Sequence, residues 1–148
     1  MKQKLIIIGV LIIALLLLGF FVQRHSRNVQ LGVRIDGPSG VVPNGLPQGL
    51  VPNSATVKES YQIPYESSTQ TTVDLETTDT VRTAYDFYLK KFQHDYTMVD
   101  QTFNIKTDQA HIYAKSKDGS EDYNIVVYKN NISTKTQIVL SYLNKETK

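Results

Sequence analysis

With 148 residues and a formal charge of +2, the chain is long enough for one compact domain and a short additional segment. Its lack of cysteine excludes disulfides, thiol acylation and a Cys-ligated zinc site. Residues 1 to 52 carry five Lys and Arg against Asp36 alone, leaving eleven basic and thirteen acidic side chains for residues 53 to 148; this mildly acidic larger part argues against a nucleic-acid partner, which selects a clustered basic face.

Residues 1 to 4 form a tail with Lys2 and Lys4, and Leu5 to Val22 then runs for eighteen residues with no charged or polar side chain. A helix of that length spans ~27 Å, close to the ~30 Å hydrocarbon core of a bilayer. The lipid bilayer is therefore the expected partner of Leu5 to Val22. The run is too long for the apolar part of a removable signal peptide, and no small-x-small cleavage site follows Phe20 and Phe21, so it reads as a retained single-pass signal-anchor. Arg24, Arg27 and Arg34 on the far side nearly balance the N-terminal positive charges, which leaves the positive-inside comparison even. The short basic tail favours a cytoplasmic N-terminus and an extracytoplasmic domain. The 14 Thr and 8 Ser of residues 53 to 148 lean the same way.

Residues 23 to 53 read as a linker. Asn28 to Ile35 shows some apolar alternation, enough for a short strand or an extended run. Prolines 38, 43, 47 and 52 then interrupt helix and sheet, and the near-repeat Pro43-Asn44-Gly45-Leu46, Pro47-Gln48-Gly49-Leu50 is turn-forming. The expected role is a semi-stiff spacer, with a docking motif for a partner as the alternative.

A soluble α+β domain is expected over residues 54 to 148. Val57 to Ile63 and Thr71 to Thr77 alternate as strands around Pro64. Val81, Ala84, Tyr85, Tyr88, Leu89 and Phe92 follow the helical period behind the capping candidates Thr78, Asp79 and Thr80, with Asp86 and Lys90 spaced for an ion pair. Phe87 falls off the apolar stripe. Tyr96 to Ile105, Ala110 to Lys115, Tyr123 to Lys129 and Thr134 to Leu143 return to strand period, with Asp118-Gly119 and Asn130-Asn131 as turns. The result is one amphipathic helix on an antiparallel meander.

The Pro52-Asn53-Ser54-Ala55 lead-in, the Thr-rich strand, Ala84-Tyr85-Asp86-Phe87-Tyr88-Leu89 in the helix and the closing Thr136-Gln137-Ile138-Val139-Leu140 resemble small membrane-anchored or secreted bacterial α+β domains of uncharacterised function. The resemblance covers residues 51 to 143. It implies a strand, a Phe-Tyr helix and a meander, and it brings no catalytic residue with it. Many such domains carry Gly-Trp after the helix, where this chain has Asp95-Tyr96.

Chemical motifs are sparse. His25, His94 and His111 lack metal-ligand spacing. Asp74, Glu76 and Asp79 read as a solvated strand face and a cap, and Asp118, Glu121 and Asp122 as a turn without the spacing of a calcium loop. No nucleophile elbow or phosphate-cradling loop occurs, and nothing calls for a cofactor. What stands out is nine Tyr, all beyond residue 60. Phe87, Tyr113, Tyr123 and Tyr128 are the expected interaction surface, because amphipathic aromatic rings suit recognition of a protein partner. The expected function is a non-enzymatic, membrane-tethered binding domain, an accessory part of an envelope assembly. A small extracytoplasmic hydrolase or cell-wall-modifying enzyme is the alternative, and a structural spacer the third.

Overall fold

The computed structural model describes residues 31 to 129 and 133 to 145. The apolar run Leu5 to Val22 and the Asn130-Asn131 turn lie outside the described residues. A single antiparallel sheet of seven strands has the order β1-β2-β3-β7-β6-β5-β4. Its strands are β1 (Ile35–Asp36), β2 (Ala55–Pro64), β3 (Ser68–Thr77), β4 (Tyr96–Asn104), β5 (Gln109–Ser116), β6 (Glu121–Lys129) and β7 (Thr136–Lys145), with helix α1 (Val81–Phe92) between β3 and β4. The expected α+β class and meander are present. The meander does not stand alone, because β7 pairs with β3 through Val73 opposite Leu140 and Leu75 opposite Ile138. Four antiparallel steps separate β3 from β4, so the two run parallel, and α1 is the crossover that joins them.

Helix α1 starts where Thr80 accepts a hydrogen bond from the Thr83 amide at 3.1 Å, satisfying one of the free donors of the first turn. Val81, Ala84, Tyr85, Tyr88 and Phe92 are buried, matching the 3.6 period, and face β4, β5 and β6. Asp86 pairs with Arg82 at 3.1 Å instead of with Lys90, a choice of i,i+4 partner that costs little at the surface.

The helix covers only part of the sheet. On the β2 side, the Pro/Gly segment expected to be a spacer contributes to the covered layer. Leu46 and Leu50 are 8% and 6% exposed and belong to the same core cluster as Val57, Val73, Leu75 and Leu140. The linker expectation is corrected on this point: residues 31 to 53 belong to the folded body, which forms one compact unit from Leu31 onward. Each Pro-x-Gly unit turns the chain, with Gly45 and Gly49 at φ 89° and 76°, a region open to glycine at no steric cost. Each turn then delivers the following Leu inward. The Gln62 side chain ties the segment to β2 by donating to the Asn44 carbonyl at 2.8 Å.

Gly37 marks the closest approach. Its amide donates to the Ser60 carbonyl at 2.8 Å, and a Cβ there would collide with the Ser60 hydroxyl and lie 3.3 Å from the Ser60 carbonyl oxygen. Ser60 is fully buried and cannot swing into solvent. We expect Gly37→Ala to cost about 1 to 3 kcal/mol by overpacking, and Gly37→Ala with Ser60→Ala to recover part of that loss in urea denaturation.

Tyr88, at the centre of the helix stripe, is fully buried, and its hydroxyl meets no hydrogen-bond partner among the described residues. Burial pushes its phenol above the ordinary value, so the neutral form is favoured in the folded state. Its contribution to stability is therefore complete below pH 10, where the unfolded chain also keeps the proton, and declines as pH rises toward the folded-state value. Tyr88→Phe is expected to be neutral or up to ~1 kcal/mol more stable at pH 8. The gap should widen by about 1 kcal/mol at pH 11, read from urea midpoints at the two pH values.

Candidate functional site

Side chains alternate across the sheet, and the two faces differ sharply. Val73, Leu75, Ile112, Ala114, Tyr123, Ile125, Val127, Ile138 and Leu140 point toward the covered side and are buried. The opposite parity forms an open face on which no other described element packs. Its rows follow from the register. Tyr61, Thr72, Ser141, Asn124, Tyr113 and Asp100 lie side by side in one row, with Glu59, Asp74, Val139, Val126, His111 and Thr102 in the next.

Polar groups on this face are largely engaged with one another. Glu76 accepts from Lys135 at 2.7 Å and from Gln137 at 3.2 Å, which holds its carboxyl below the ordinary range. Lys145 pairs with Asp122 at 3.0 Å, and Thr72 meets Ser141 at 3.1 Å. His111 contacts Asp100 through Nδ1 at 2.9 Å and Asn124 through Nε2 at 2.7 Å, so its ring is fixed in orientation. Asp74 sits between strands, and partial burial together with the neighbouring Glu59 carboxylate raises its pKa. A shallow depression of about 180 Å³ lies at Gln70, Asp122, Asn124, Ser141 and Leu143. Interleaved with these groups are half-buried Tyr61, Ile63, Tyr113, Tyr128, Val139 and Leu143. Such a surface, with apolar rings among satisfied polar groups, has the chemistry of a contact face.

The four expected interaction residues are not brought together. Tyr113 and Tyr128 lie on the open face; Gln109 is opposite Tyr128, which places the two rings about 13 Å apart along the strands. Phe87 lies on the helix side of the molecule, edge-on to Tyr88 at 5.0 Å, and lines a hollow of about 460 Å³ with Val51 and Pro52. Tyr123 is 1% exposed and is corrected from the surface to the core. It shares its parity with Ile125 and Val127, stacks on Tyr142 at 5.0 Å and packs against Phe92 at 4.8 Å. Its hydroxyl donates to Glu121 at 2.8 Å, and burial raises its pKa.

Sequence reasoning missed Tyr61, which carries the Arg34 guanidinium over its ring at 4.0 Å, and the contact of His111 with Asp100 and Asn124. The strand periodicity places these residues on one face, but their neighbours depend on register. The carboxylates weighed as cation ligands are spread out, with Glu76 held by lysines and Asp79 accepting from Ser54 at the helix entrance. Among the described residues no group of three or more potential metal ligands converges, and no helix is long and apolar enough to cross a membrane. Comparison with protein-family models, curated proteins and solved structures finds no match.

Proposed function

We propose that the chain is a single-pass membrane-tethered binding domain, non-enzymatic, held by Leu5 to Val22 with its folded body outside the cytoplasm. In this reading it grips a protein partner of the envelope with the open sheet face, as an accessory part of a larger assembly. The observation that carries the reading is that, among the described residues, no layer covers one whole face of a seven-stranded sheet, which displays Tyr61, Tyr113 and Tyr128 among hydrogen-bonded polar side chains. A face of this kind gains by being covered, since its aromatic rings lose water on contact while most of its polar groups already have partners.

Photo-crosslinking in intact cells tests it. A benzophenone side chain at Val126, in the middle of the open face, should give a discrete protein adduct. The same group at Ile105, 82% exposed in the β4 to β5 turn, should not. Tyr113→Ala with Tyr128→Ala should reduce the Val126 adduct about tenfold, as loss of an aromatic anchor does. Equal adduct yields at the two positions would sink the assignment of the face. Topology is read separately with Lys106→Cys, the one thiol the chain would then contain. Labelling of intact cells by a membrane-impermeant reagent is expected, and labelling only after lysis would place the domain inside.

A further inference from the structure

Nine large apolar side chains are exposed among the described residues, and six of them, Leu31, Val33, Ile35, Val41, Val42 and Tyr65, cluster where the folded body begins. Clustering of that degree on a soluble surface marks a contact. Hydrogen bonds tie the start of this stretch to the outer side of β2. The Gly32 amide bonds the Pro64 carbonyl at 2.7 Å beside Tyr65, Ile35 pairs with Gln62 in β1, and Ser39 reaches the Lys58 carbonyl at 3.2 Å. Residues 31 to 39 thus run antiparallel along the outer side of β2, and Val41 and Val42 follow in a turn where the Val41 amide donates to the Pro38 carbonyl at 3.4 Å.

Because the body starts at Leu31, only residues 23 to 30 separate it from Val22. Eight residues reach at most ~28 Å when fully extended, and β1, at the edge of the sheet, is the first element of the folded body that they lead into. We propose that this edge rests in the headgroup region of the bilayer, with its six apolar side chains as the lipid contact; the inference rests on reading Leu5 to Val22 as a membrane anchor. The charges of the edge suit an apolar landing. Arg34 is paired with both Asp36 and Glu59 and stacked over Tyr61, so among the described residues of the edge its one cation is already matched by carboxylates, which favours apolar over electrostatic adsorption. With strands ~4.8 Å apart, β4 lies about 29 Å across the sheet from β1.

The chain lacks cysteine, so single thiols can be introduced at Val33, Val42 and Lys106 in the full-length protein and labelled with an environment-sensitive fluorophore. The probe membrane is a phosphatidylcholine vesicle with or without doxyl-labelled lipid. Doxyl lipid should quench the labels at 33 and 42 by about twofold or more and leave Lys106, in the turn beside β4, unaffected, with little dependence on salt. Should the chain stay with the vesicles through an alkaline wash while labels at 33 and 42 are quenched no more than that at 106, the edge assignment is wrong and the anchor stands. Should the chain wash off, the anchor reading fails and takes the inference with it. A blue-shifted emission at 33 and 42 that depends on protein concentration and not on doxyl lipid would assign the edge to a second copy of this chain, and overturn the lipid contact.

Discussion

The double variant Leu46→Ala with Leu50→Ala should remove most of the stability of the folded body. Each leucine is more than nine-tenths buried and packs in the cluster that contains Val73, Leu75 and Leu140. Truncating a buried leucine costs roughly 2 to 5 kcal/mol, from lost transfer energy and from the cavity left behind. Two such losses total roughly 4 to 10 kcal/mol, set against the 5 to 15 kcal/mol by which a domain of this size is stable. Collapse of the segment onto the gap is limited, because Gly45 and Gly49 hold the turns and Gln62 pins Asn44. Each single variant should shift the urea midpoint strongly, and Ile105→Ala, at a site 82% exposed, should not. A spacer would tolerate all three changes equally. Circular dichroism of the full chain in detergent during urea titration separates the two outcomes.

Much of the fold was legible because local periodicity and core burial agree. Val81 to Phe92 obeys the helical period and lies where that period puts it, and the four meander strands fall within a few residues of the alternating runs. What escaped was set by contacts distant in sequence. Leu46 and Leu50 sit in a stretch whose Pro and Gly content is a proper sign of turns, and turns do form there. The overlooked signal was the Leu repeated at a spacing of four, each immediately after a glycine, an apolar pattern a solvated spacer has no use for. The junction of β3 with β7 has no local signature, since either could pair with several strands of similar composition. Without that junction, the open face could be anticipated only as an uncovered layer, and its rows, including the placement of Tyr61 beside Thr72 and of His111 beside Val126, were not readable. For β6, both parities contain apolar residues. At the centre of the strand Tyr123, Ile125 and Val127 run apolar without interruption, whereas Asn124 breaks the set that includes Val126 and Tyr128, and that contrast was available to assign Tyr123 inward.

Tyr123 gives the second large effect, and it divides ring from hydroxyl. The ring is the hub of an aromatic cluster, 4.8 Å from Phe92, 5.3 Å from Tyr96 and 5.0 Å from Tyr142 by centroid. It joins the C-terminal end of the helix to three strands. Tyr123→Ala removes all of those contacts at once and should cost about 3 to 5 kcal/mol. Tyr123→Phe keeps the ring and deletes only the donation to Glu121, whose carboxylate still accepts from Tyr142 at 3.0 Å. The phenylalanine variant should therefore lose no more than about 1.5 to 3 kcal/mol, the range for a hydrogen bond to a charged group. Tyr113→Ala and Tyr128→Ala, on the open face, leave no closed cavity and should cost roughly 1 kcal/mol or less, in keeping with single cross-strand contacts. A urea series over these four variants thus reads the two sides of the sheet independently. If Tyr113→Ala destabilised as much as Tyr123→Ala, the face assigned to partner binding would be a core layer, because only a ring enclosed on all sides leaves a cavity that large when it is removed.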